Sequence, residues 1–158
     1  MRANVRSPRP IRVLFLCVGN SARSILAEAL LRARGAGRFE VRSAGTEPKG
    51  VNPLTLRTLQ DAGLPVEGLR SESVENYRGE PFDYVITLCD EAREACPYLP
   101  GAHTLLHWNL PDPAAATGGD ARRLAAFKDV FARLERELGT FIPDALARRE
   151  APSRSGVA

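Results

Sequence analysis

The stretch "IRVLFLCVGNSARSILAEALLRARG", residues 11–35, predicts a strand, a loop and a helix in direct succession. Residues 11–16 are mostly apolar and partly β-branched, as in a buried strand. After the loop, apolar residues recur at helical spacing, and Gly35 is suited to end the helix. Cys17 therefore stands where a buried strand passes into a loop of small residues.

The remainder of the chain repeats this alternation of strands and helices. Short apolar runs predict three further strands: "FEVRSAG" (39–45), "DYVITLC" (83–89) and "AHTLLHW" (102–108). Asn52 as an N-cap, with Pro53 behind it, marks the start of a helix that Gly63 follows. Apolar residues at alternating spacings of three and four predict a long final helix from about Asp120.

Strands that alternate with helices predict an α/β fold. We expect a single domain built on a four-stranded parallel sheet with helices on both faces. Ligands of such sheets bind at the carboxyl ends of the strands. Cys17, Cys89 and the loop that holds Asp112 are all predicted at that edge.

Length and composition predict one cytoplasmic globular domain. The 158 residues support a single core, assigned to residues 11–149, with disordered basic tails at 1–10 and 150–158. No run approaches the roughly 18 apolar residues of a membrane span, and no secretory signal follows the N-terminal arginines. Three cysteines favour reduced thiols over a disulfide scaffold. Nothing indicates an oligomer, so a monomer is expected.

The basic pI near 9.0 does not indicate a nucleic-acid-binding protein. The formal charge is +3, of which residues 1–10 carry +3 and residues 148–158 carry +2. Residues 11–147 therefore carry −2. They also lack the interleaved basic and aromatic residues that would follow a nucleic-acid strand, so no such partner is expected.

The loop after Cys17 has the pattern C-x5-R and ends at Arg23. Its backbone N–H groups can converge on one point beside a helix start, which suits a tetrahedral oxyanion. Gly19 and Asn20 tolerate the positive φ that such a cradle needs. Arg23 can bind two oxygens with its planar guanidinium, and Ser24 can donate a hydrogen bond to the sulfur. The predicted substrate-binding residues are Val18, Gly19, Asn20, Ser21, Ala22, Arg23 and Ser24.

Cys17 itself is predicted to be a nucleophile, because the same positive field stabilises its thiolate. The alternative is a buried structural cysteine at a strand end, which is the common role of a lone cysteine. That alternative leaves the small-residue loop and Arg23 without a role.

Cys89 and Cys96 lie seven residues apart in "CDEAREAC". On an intact helix this spacing corresponds to about 10.5 Å along the axis, whereas a disulfide needs Cα atoms roughly 4.4–6.8 Å apart. A bond between them therefore requires the helix to unwind, at little cost for such a charged segment. The alternatives are two buried thiols, or a zinc site with His103 and His107 whose first gap is longer than usual.

The motif "VLFLCVGNSARSILAEALL" resembles the phosphate-binding loop of the low-molecular-weight protein tyrosine phosphatase superfamily. The chain is also similar to the thioredoxin-coupled arsenate reductases of that superfamily in "SAGTEPKGVNP", "FDYVITLCDEAREACP" and "HWNLPDPAAATG". This similarity extends over about residues 12–142. It implies a low-molecular-weight phosphatase-like fold and an arsenate reductase that serves arsenic detoxification.

The resemblance implies a relay of three cysteines. Cys17 attacks arsenate, Cys89 attacks the Cys17 sulfur and releases arsenite, and Cys96 then takes Cys89 into a disulfide that thioredoxin reduces. Arg23 stabilises the oxyanion, and Asp112 assists proton transfer to the leaving oxygen. From the residues alone, an ordinary turn is the favoured interpretation of the Asp-Pro pair, and the resemblance reverses that preference. A low-molecular-weight thiol with a glutaredoxin is the alternative reductant.

Two other functions stay open from the sequence. A low-molecular-weight protein tyrosine phosphatase would hydrolyse phosphate monoesters through a Cys17 phosphoenzyme. Such enzymes usually carry a tyrosine after the Asp-Pro pair, where this chain has Ala114, so only weak phosphatase activity is expected. An oxyanion-binding redox sensor would oxidise Cys17 reversibly without turnover.

Two loop positions depart from the family pattern: Val18 stands where a threonine is common, and Ala22 where a cysteine is often found. Some relatives hold a potassium ion that stiffens the loop, and no tightly bound cofactor is expected otherwise. The matching positions here are Asn20, Glu28, Ser43 and Glu72. Glu72 replaces the aspartate of the potassium-binding relatives, and its extra methylene is expected to disturb the coordination.

Overall fold

The computed structural model describes residues 9–95 and 103–150. Its strands are β1 (Ile11–Cys17), β2 (Phe39–Gly45), β3 (Tyr84–Thr87) and β4 (Thr104–His107). Its helices are α1 (Arg23–Arg34), α2 (Pro53–Asp61), α3 (Asp90–Ala95) and α4 (Asp120–Glu150). Single turns of 3-10 helix are found at Val74–Tyr77 and Pro113–Ala115.

The four strands form one parallel sheet in the order β2-β1-β3-β4. At its carboxyl edge, Cys17 of β1 pairs with Gly45 of β2. On the other side of β1, the last paired residue of β3 is Thr87, which itself pairs with His107 of β4. The predicted four-stranded parallel sheet is confirmed, and all four strands end at the edge that holds Cys17.

Gly45 lets β2 approach the loop that follows β1. A Cβ atom at this position would lie 2.5 Å from the Val18 carbonyl oxygen and 2.9 Å from the Asn20 nitrogen. Since no side chain fits at those distances, a glycine is required where β2 ends.

Helices cover both faces of the sheet, as predicted. On one face, α1 and α4 enclose a core in which Phe15, Leu30 and Leu134 are fully buried. On the other face, the 3-10 helix Val74–Tyr77 and Phe82 pack against the remaining β1 side chains. Each large apolar side chain buried in this way stabilises the fold by about 1.5–3 kcal/mol.

The predicted helix boundary signals act as expected around α2. Asn52 is the N-cap, and its Oδ1 accepts a hydrogen bond from the Leu54 N–H at 2.8 Å. Pro53 occupies the first helical position, and Gly63 follows the helix with φ of 76°. These local signals fix the point at which the chain leaves the carboxyl edge of the sheet.

The predicted disordered tails fall mostly outside the described residues, as does Cys96. Arg9 is described, however, and its carbonyl accepts a hydrogen bond from Arg149 Nη1 at 3.3 Å. Helix α4 also continues to Glu150, one residue beyond the predicted domain boundary. Within the described ranges, no helix combines the length and the apolar character needed to cross a membrane.

Candidate active site

Residues 46–55, here termed the strap, run from the end of β2 into α2 and hold the Cys17 loop from outside. Backbone N–H groups of the strap donate to loop carbonyls: Thr46 to Cys17 (3.3 Å), Glu47 to Val18 (2.8 Å), Lys49 to Gly19 (2.9 Å) and Asn52 to Ser21 (3.1 Å). In a planar trans peptide the N–H points opposite to the carbonyl. Because the carbonyls face the strap, the N–H groups of the loop are left for an anion.

Asn20 fixes the conformation of the loop from within. It is fully buried and takes a left-handed φ of 43°. Its Nδ2 donates to Ser24 Oγ (2.7 Å) and Ser43 Oγ (3.0 Å), and its Oδ1 accepts from the Glu72 N–H (2.7 Å). Gly19, which was expected to share the positive φ, does not adopt it, because one left-handed residue turns this loop.

The Cys17 thiol receives direct support from the start of α1. Its Sγ lies 2.9 Å from Ser24 Oγ. Since Ser24 Oγ already accepts a hydrogen bond from Asn20, its own hydroxyl hydrogen is available to donate to a thiolate. The side chains of Asn20 and Ser24 are fully buried behind the loop. These two side chains therefore support the loop and the Cys17 sulfur from behind, and the binding of substrate through this part of the loop stays a prediction.

The remaining predicted residues meet in one cavity of about 480 Å³ at the carboxyl edge of the sheet. The lining residues that the sequence predicted are Cys17, Val18, Gly19, Ser21, Ala22, Arg23, Cys89 and Asp112. Arg23 Nη1 donates to the Leu110 carbonyl at 3.1 Å, which ties the guanidinium to the Asp112 loop. The structure thus brings a thiol, a guanidinium and a carboxylate to one opening.

Cys89 lies two residues after the end of β3 and is almost fully buried. The backbone N–H of Ala92 donates a hydrogen bond to its sulfur at 3.4 Å. Burial raises the pKa of the Cys89 thiol, although the N–H groups of Ala92 and Val18 and the charge of Arg23 oppose that effect. Cys89 is therefore held as a thiol against the loop that carries Cys17.

Asp112 starts a turn and also lines the cavity, while its role in proton transfer stays a prediction. Its Oδ1 accepts a hydrogen bond from the Ala114 N–H at 3.0 Å and so caps the 3-10 helix Pro113–Ala115. The same residue lines the cavity with Cys17. The turn sets the position of the carboxylate at the opening.

His107 forms a hydrogen-bonded chain that the sequence did not predict. Its Nδ1 lies 2.7 Å from Thr87 Oγ1, and its Nε2 lies 3.0 Å from Asp90 Oδ1. Asp90 is the first residue of α3 and follows Cys89. Among residues 9–95 and 103–150, no three His, Cys, Asp or Glu side chains are grouped to bind a metal. The sequence signal that could have revealed the contact between His107 and Asp90 was the predicted parallel sheet, which places the ends of β3 and β4 side by side.

We expect His107→Ala to loosen α3 without unfolding the protein. The change removes the hydrogen bonds of His107 to Thr87 and to Asp90, of which the second ties α3 to β4, at a cost of about 1–2 kcal/mol. Hydrogen–deuterium exchange at residues 90–95 should become about tenfold faster, as that free energy implies. His103→Ala serves as the control, because it removes an imidazole that takes no part in the Thr87–His107–Asp90 hydrogen bonds. Unchanged exchange in His107→Ala would contradict the anchoring role.

We expect Asn20→Ala to cost about 3 kcal/mol of unfolding free energy, because it deletes three buried hydrogen bonds and places alanine at a left-handed φ. Urea unfolding followed by circular dichroism measures this loss. Asn52→Ala, which removes a single N-cap hydrogen bond, should cost only about 1 kcal/mol. Equal losses in the two variants would show that Asn20 is an ordinary cap residue.

The four residues predicted to hold potassium lie in one buried network but do not fit a potassium site. Ser43 Oγ donates to Glu28 Oε1 at 2.5 Å, and the other Glu28 oxygen forms an ion pair with Arg32. Glu72 Oε2 accepts a hydrogen bond from Tyr77 at 2.6 Å. Burial raises the pKa of Glu28 against the opposing effect of Ser43 and Arg32. The oxygens that would coordinate the ion are already bound to protein donors.

The chain is similar throughout to known proteins. Residues 12–151 match the family described as low molecular weight phosphotyrosine protein phosphatase. An arsenate reductase of Halalkalibacterium halodurans is 33% identical over 129 residues, 82% of this chain and 93% of the relative. A solved arsenate reductase in a phosphate-binding state has a TM-score of 0.69 and 28% identity over 85% of this chain and 98% of its own. A thioredoxin-dependent arsenate reductase of Corynebacterium glutamicum has a TM-score of 0.62 and 33% identity, and the match covers 91% of this chain and 67% of that structure's chain.

Proposed function

Since the chain belongs to the low molecular weight phosphotyrosine protein phosphatase family, we propose that it reduces arsenate to arsenite with Cys17, Cys89 and Cys96 and that thioredoxin restores its thiols. Arsenate reductases at about one-third identity over most of the chain support the reaction. The thioredoxin dependence of the Corynebacterium glutamicum relative supports the reductant.

The position of Cys89 in the same cavity as Cys17 carries this proposal. Hydrolysis of a phosphate ester needs the nucleophile, the guanidinium and the acid, but it has no use for a second thiol. Here Cys89 lines the same cavity as Cys17 and Arg23. A second thiol in that place is the requirement for reducing a bound oxyanion.

In the first step the Cys17 thiolate attacks arsenic and forms a sulfur–arsenic bond. One hydroxyl group of the arsenate leaves, and Asp112 passes it a proton so that it departs as water. Arg23 and the N–H groups of the loop stabilise the other oxygens. The Ser24 hydroxyl, 2.9 Å from the Cys17 sulfur, can donate a hydrogen bond to the attacking thiolate.

In the second step the Cys89 thiolate attacks the Cys17 sulfur. A disulfide forms, the sulfur–arsenic bond breaks, and its electron pair reduces As(V) to As(III), which leaves as arsenite. Cys96 then attacks Cys89 and releases the Cys17 thiolate. Thioredoxin dithiol finally reduces the Cys89–Cys96 disulfide and becomes oxidised itself. The role of Cys96 is inferred from its sequence position alone, because it lies outside the described residues.

Weak hydrolysis of small aryl phosphates is part of the same proposal. The nucleophile, the guanidinium and the acid are those of a phosphatase, and Ala114 beside the cavity gives no aromatic wall for a tyrosine ring. The activity should therefore be low and should depend on Cys17 but not on Cys89.

The proposal is tested by NADPH oxidation with thioredoxin, thioredoxin reductase and arsenate, beside hydrolysis of p-nitrophenyl phosphate. Sustained NADPH oxidation that depends on arsenate supports a thioredoxin-linked reductase. If NADPH is stable while the ester is hydrolysed rapidly, the protein is a phosphatase and Cys89 protects its loop. Replacing thioredoxin with glutathione and glutaredoxin distinguishes the two classes of reductant.

The raised pKa of Cys89 predicts a pH dependence for the second step. Only the thiolate attacks, so below that pKa the rate of Cys17–Cys89 disulfide formation should rise about tenfold per pH unit. Arsenite release in a single turnover, measured between about pH 6 and pH 9, checks this rise around the usual cysteine range. The folded state also holds this proton more tightly than the unfolded chain, so stability from this group is lost as the pH rises through the folded pKa. A flat profile would mean that Cys89 does not limit the step.

A further inference from the structure

Lys49 lies over the Cys17 loop, although no motif marks it. Its backbone N–H donates to the Gly19 carbonyl at 2.9 Å, which holds its Cα at the mouth of the cavity. A Cβ placed on Gly19 would lie 3.4 Å from Lys49 Cδ and 3.7 Å from its Cγ. The aliphatic stem therefore runs across the loop, and the residue lines the same cavity as Cys17 and Arg23.

The charges around the cavity give this lysine a function. Asp90, Glu91 and Asp112 line the cavity as well; Asp90 is paired with Arg93 at 3.3 Å, so a dianion meets the carboxylates of Glu91 and Asp112 there. Arg23 has one guanidinium nitrogen engaged with the Leu110 carbonyl. Among the described ion pairs, Lys128 contacts Asp61 at 3.0 Å, whereas Lys49 has no carboxylate partner. An exposed ammonium without a counter-ion is thus available at the opening.

We propose that Lys49 binds the outward-facing oxygen of a free tetrahedral oxyanion and so selects inorganic oxyanions over their esters. The inference rests on the proposed function of Cys17. The sulfur attacks from the floor of the loop, so the oxygen opposite to it points to the mouth. In a free arsenate or phosphate that oxygen carries charge or a hydroxyl, which an ammonium attracts. In a monoester it carries the organic group, and the attraction is lost.

The first experiment measures anion binding without any reduction. Phosphate bound in the loop blocks alkylation of Cys17 by iodoacetamide, and the phosphate concentration for half protection reports its affinity. Mass spectrometry of the Cys17 peptide follows the modification in the full chain. Lys49→Gln should raise this concentration about five- to tenfold, the range for a partly exposed charge contact. Lys49→Arg should restore it to within about twofold.

Lys128→Gln is the matched control, because it removes the same charge on α4, outside the residues that line the cavity. It should leave the half-protection concentration unchanged. The same concentration in Lys49→Gln and in the wild type would overturn the proposal for Lys49 and leave the Cys17 site intact. If phosphate fails to protect even the wild type, the oxyanion site itself is wrong, and the proposal for Lys49 is overturned with it.

The second experiment tests selectivity. Lys49→Gln should lower kcat/KM for arsenate by the same five- to tenfold factor, about 1–1.4 kcal/mol by the usual conversion, mainly through KM. The value for p-nitrophenyl phosphate should change by less than about twofold, because the ester oxygen carries no charge. Equal losses on both substrates would overturn the selectivity and reduce Lys49 to a general attraction for anions.

Discussion

We expect Cys17→Ser to lose arsenate reduction and phosphate ester hydrolysis together, each by a factor of about 10⁴ or more. A serine hydroxyl is almost never ionised at neutral pH, and no general base lies within the hydrogen bonds described for this sulfur, whose partner is the Ser24 hydroxyl. Both reactions begin with attack by this atom, so neither has another route. The coupled NADPH assay and p-nitrophenyl phosphate hydrolysis measure the two losses on the same preparation.

The Cys17→Ser variant should fold normally, since a serine oxygen retains a hydrogen bond with Ser24. Its urea unfolding should therefore remain within about 1 kcal/mol of the wild type. Persistence of either activity in a folded variant would remove Cys17 as the nucleophile. Loss of one activity alone would mean that the two reactions use different sites.

Cys96→Ser should release one arsenite per chain and then stop. The first two steps need only Cys17 and Cys89, so arsenite still forms and the protein is left with a Cys17–Cys89 disulfide. Without Cys96 this disulfide stays in the active site, where thioredoxin has poor access to nearly buried sulfurs. Quenched-flow arsenite measurement should show a single burst, and the stalled protein should be two hydrogen atoms lighter.

Cys89→Ser is the control for this burst. It retains the Cys17 nucleophile but lacks the thiol that attacks the Cys17 sulfur and breaks the sulfur–arsenic bond. It should therefore release no arsenite. Continued thioredoxin-driven turnover in Cys96→Ser would rule out the relay and leave Cys17–Cys89 as the disulfide that thioredoxin reduces. A burst in Cys89→Ser would mean that another thiol attacks Cys17.

Local signals in the sequence predicted most of the fold. The apolar run that ends at Cys17, the helical spacing after Arg23, and the Asn52-Pro53 pair each act within a few residues. Parallel strands then have few arrangements open to them, so the carboxyl edge followed from the order of the elements. The predicted strand order also placed Cys89 and Asp112 at the same edge as Cys17, although they are far from it in the sequence.

The support of the site could not be predicted in this way, because it depends on contacts between distant segments. Asparagine is a common residue in turns. Only the folded chain places the Glu72 N–H at the side-chain oxygen of Asn20. His107 was considered only in a zinc pattern, whereas its partner Asp90 is brought near by the pairing of β3 with β4. No periodicity or spacing rule reports such partners.

The strap preorganises the proposed oxyanion site. The loop carbonyls of Val18 and Gly19 are already bonded to residues 46–55, so the peptide dipoles need not reorient when a ligand enters. Little binding free energy is then spent on ordering the loop, and more of it appears as affinity. A mutation in the strap can thus change the affinity of the Cys17 loop for an oxyanion, although the mutated residue does not itself react.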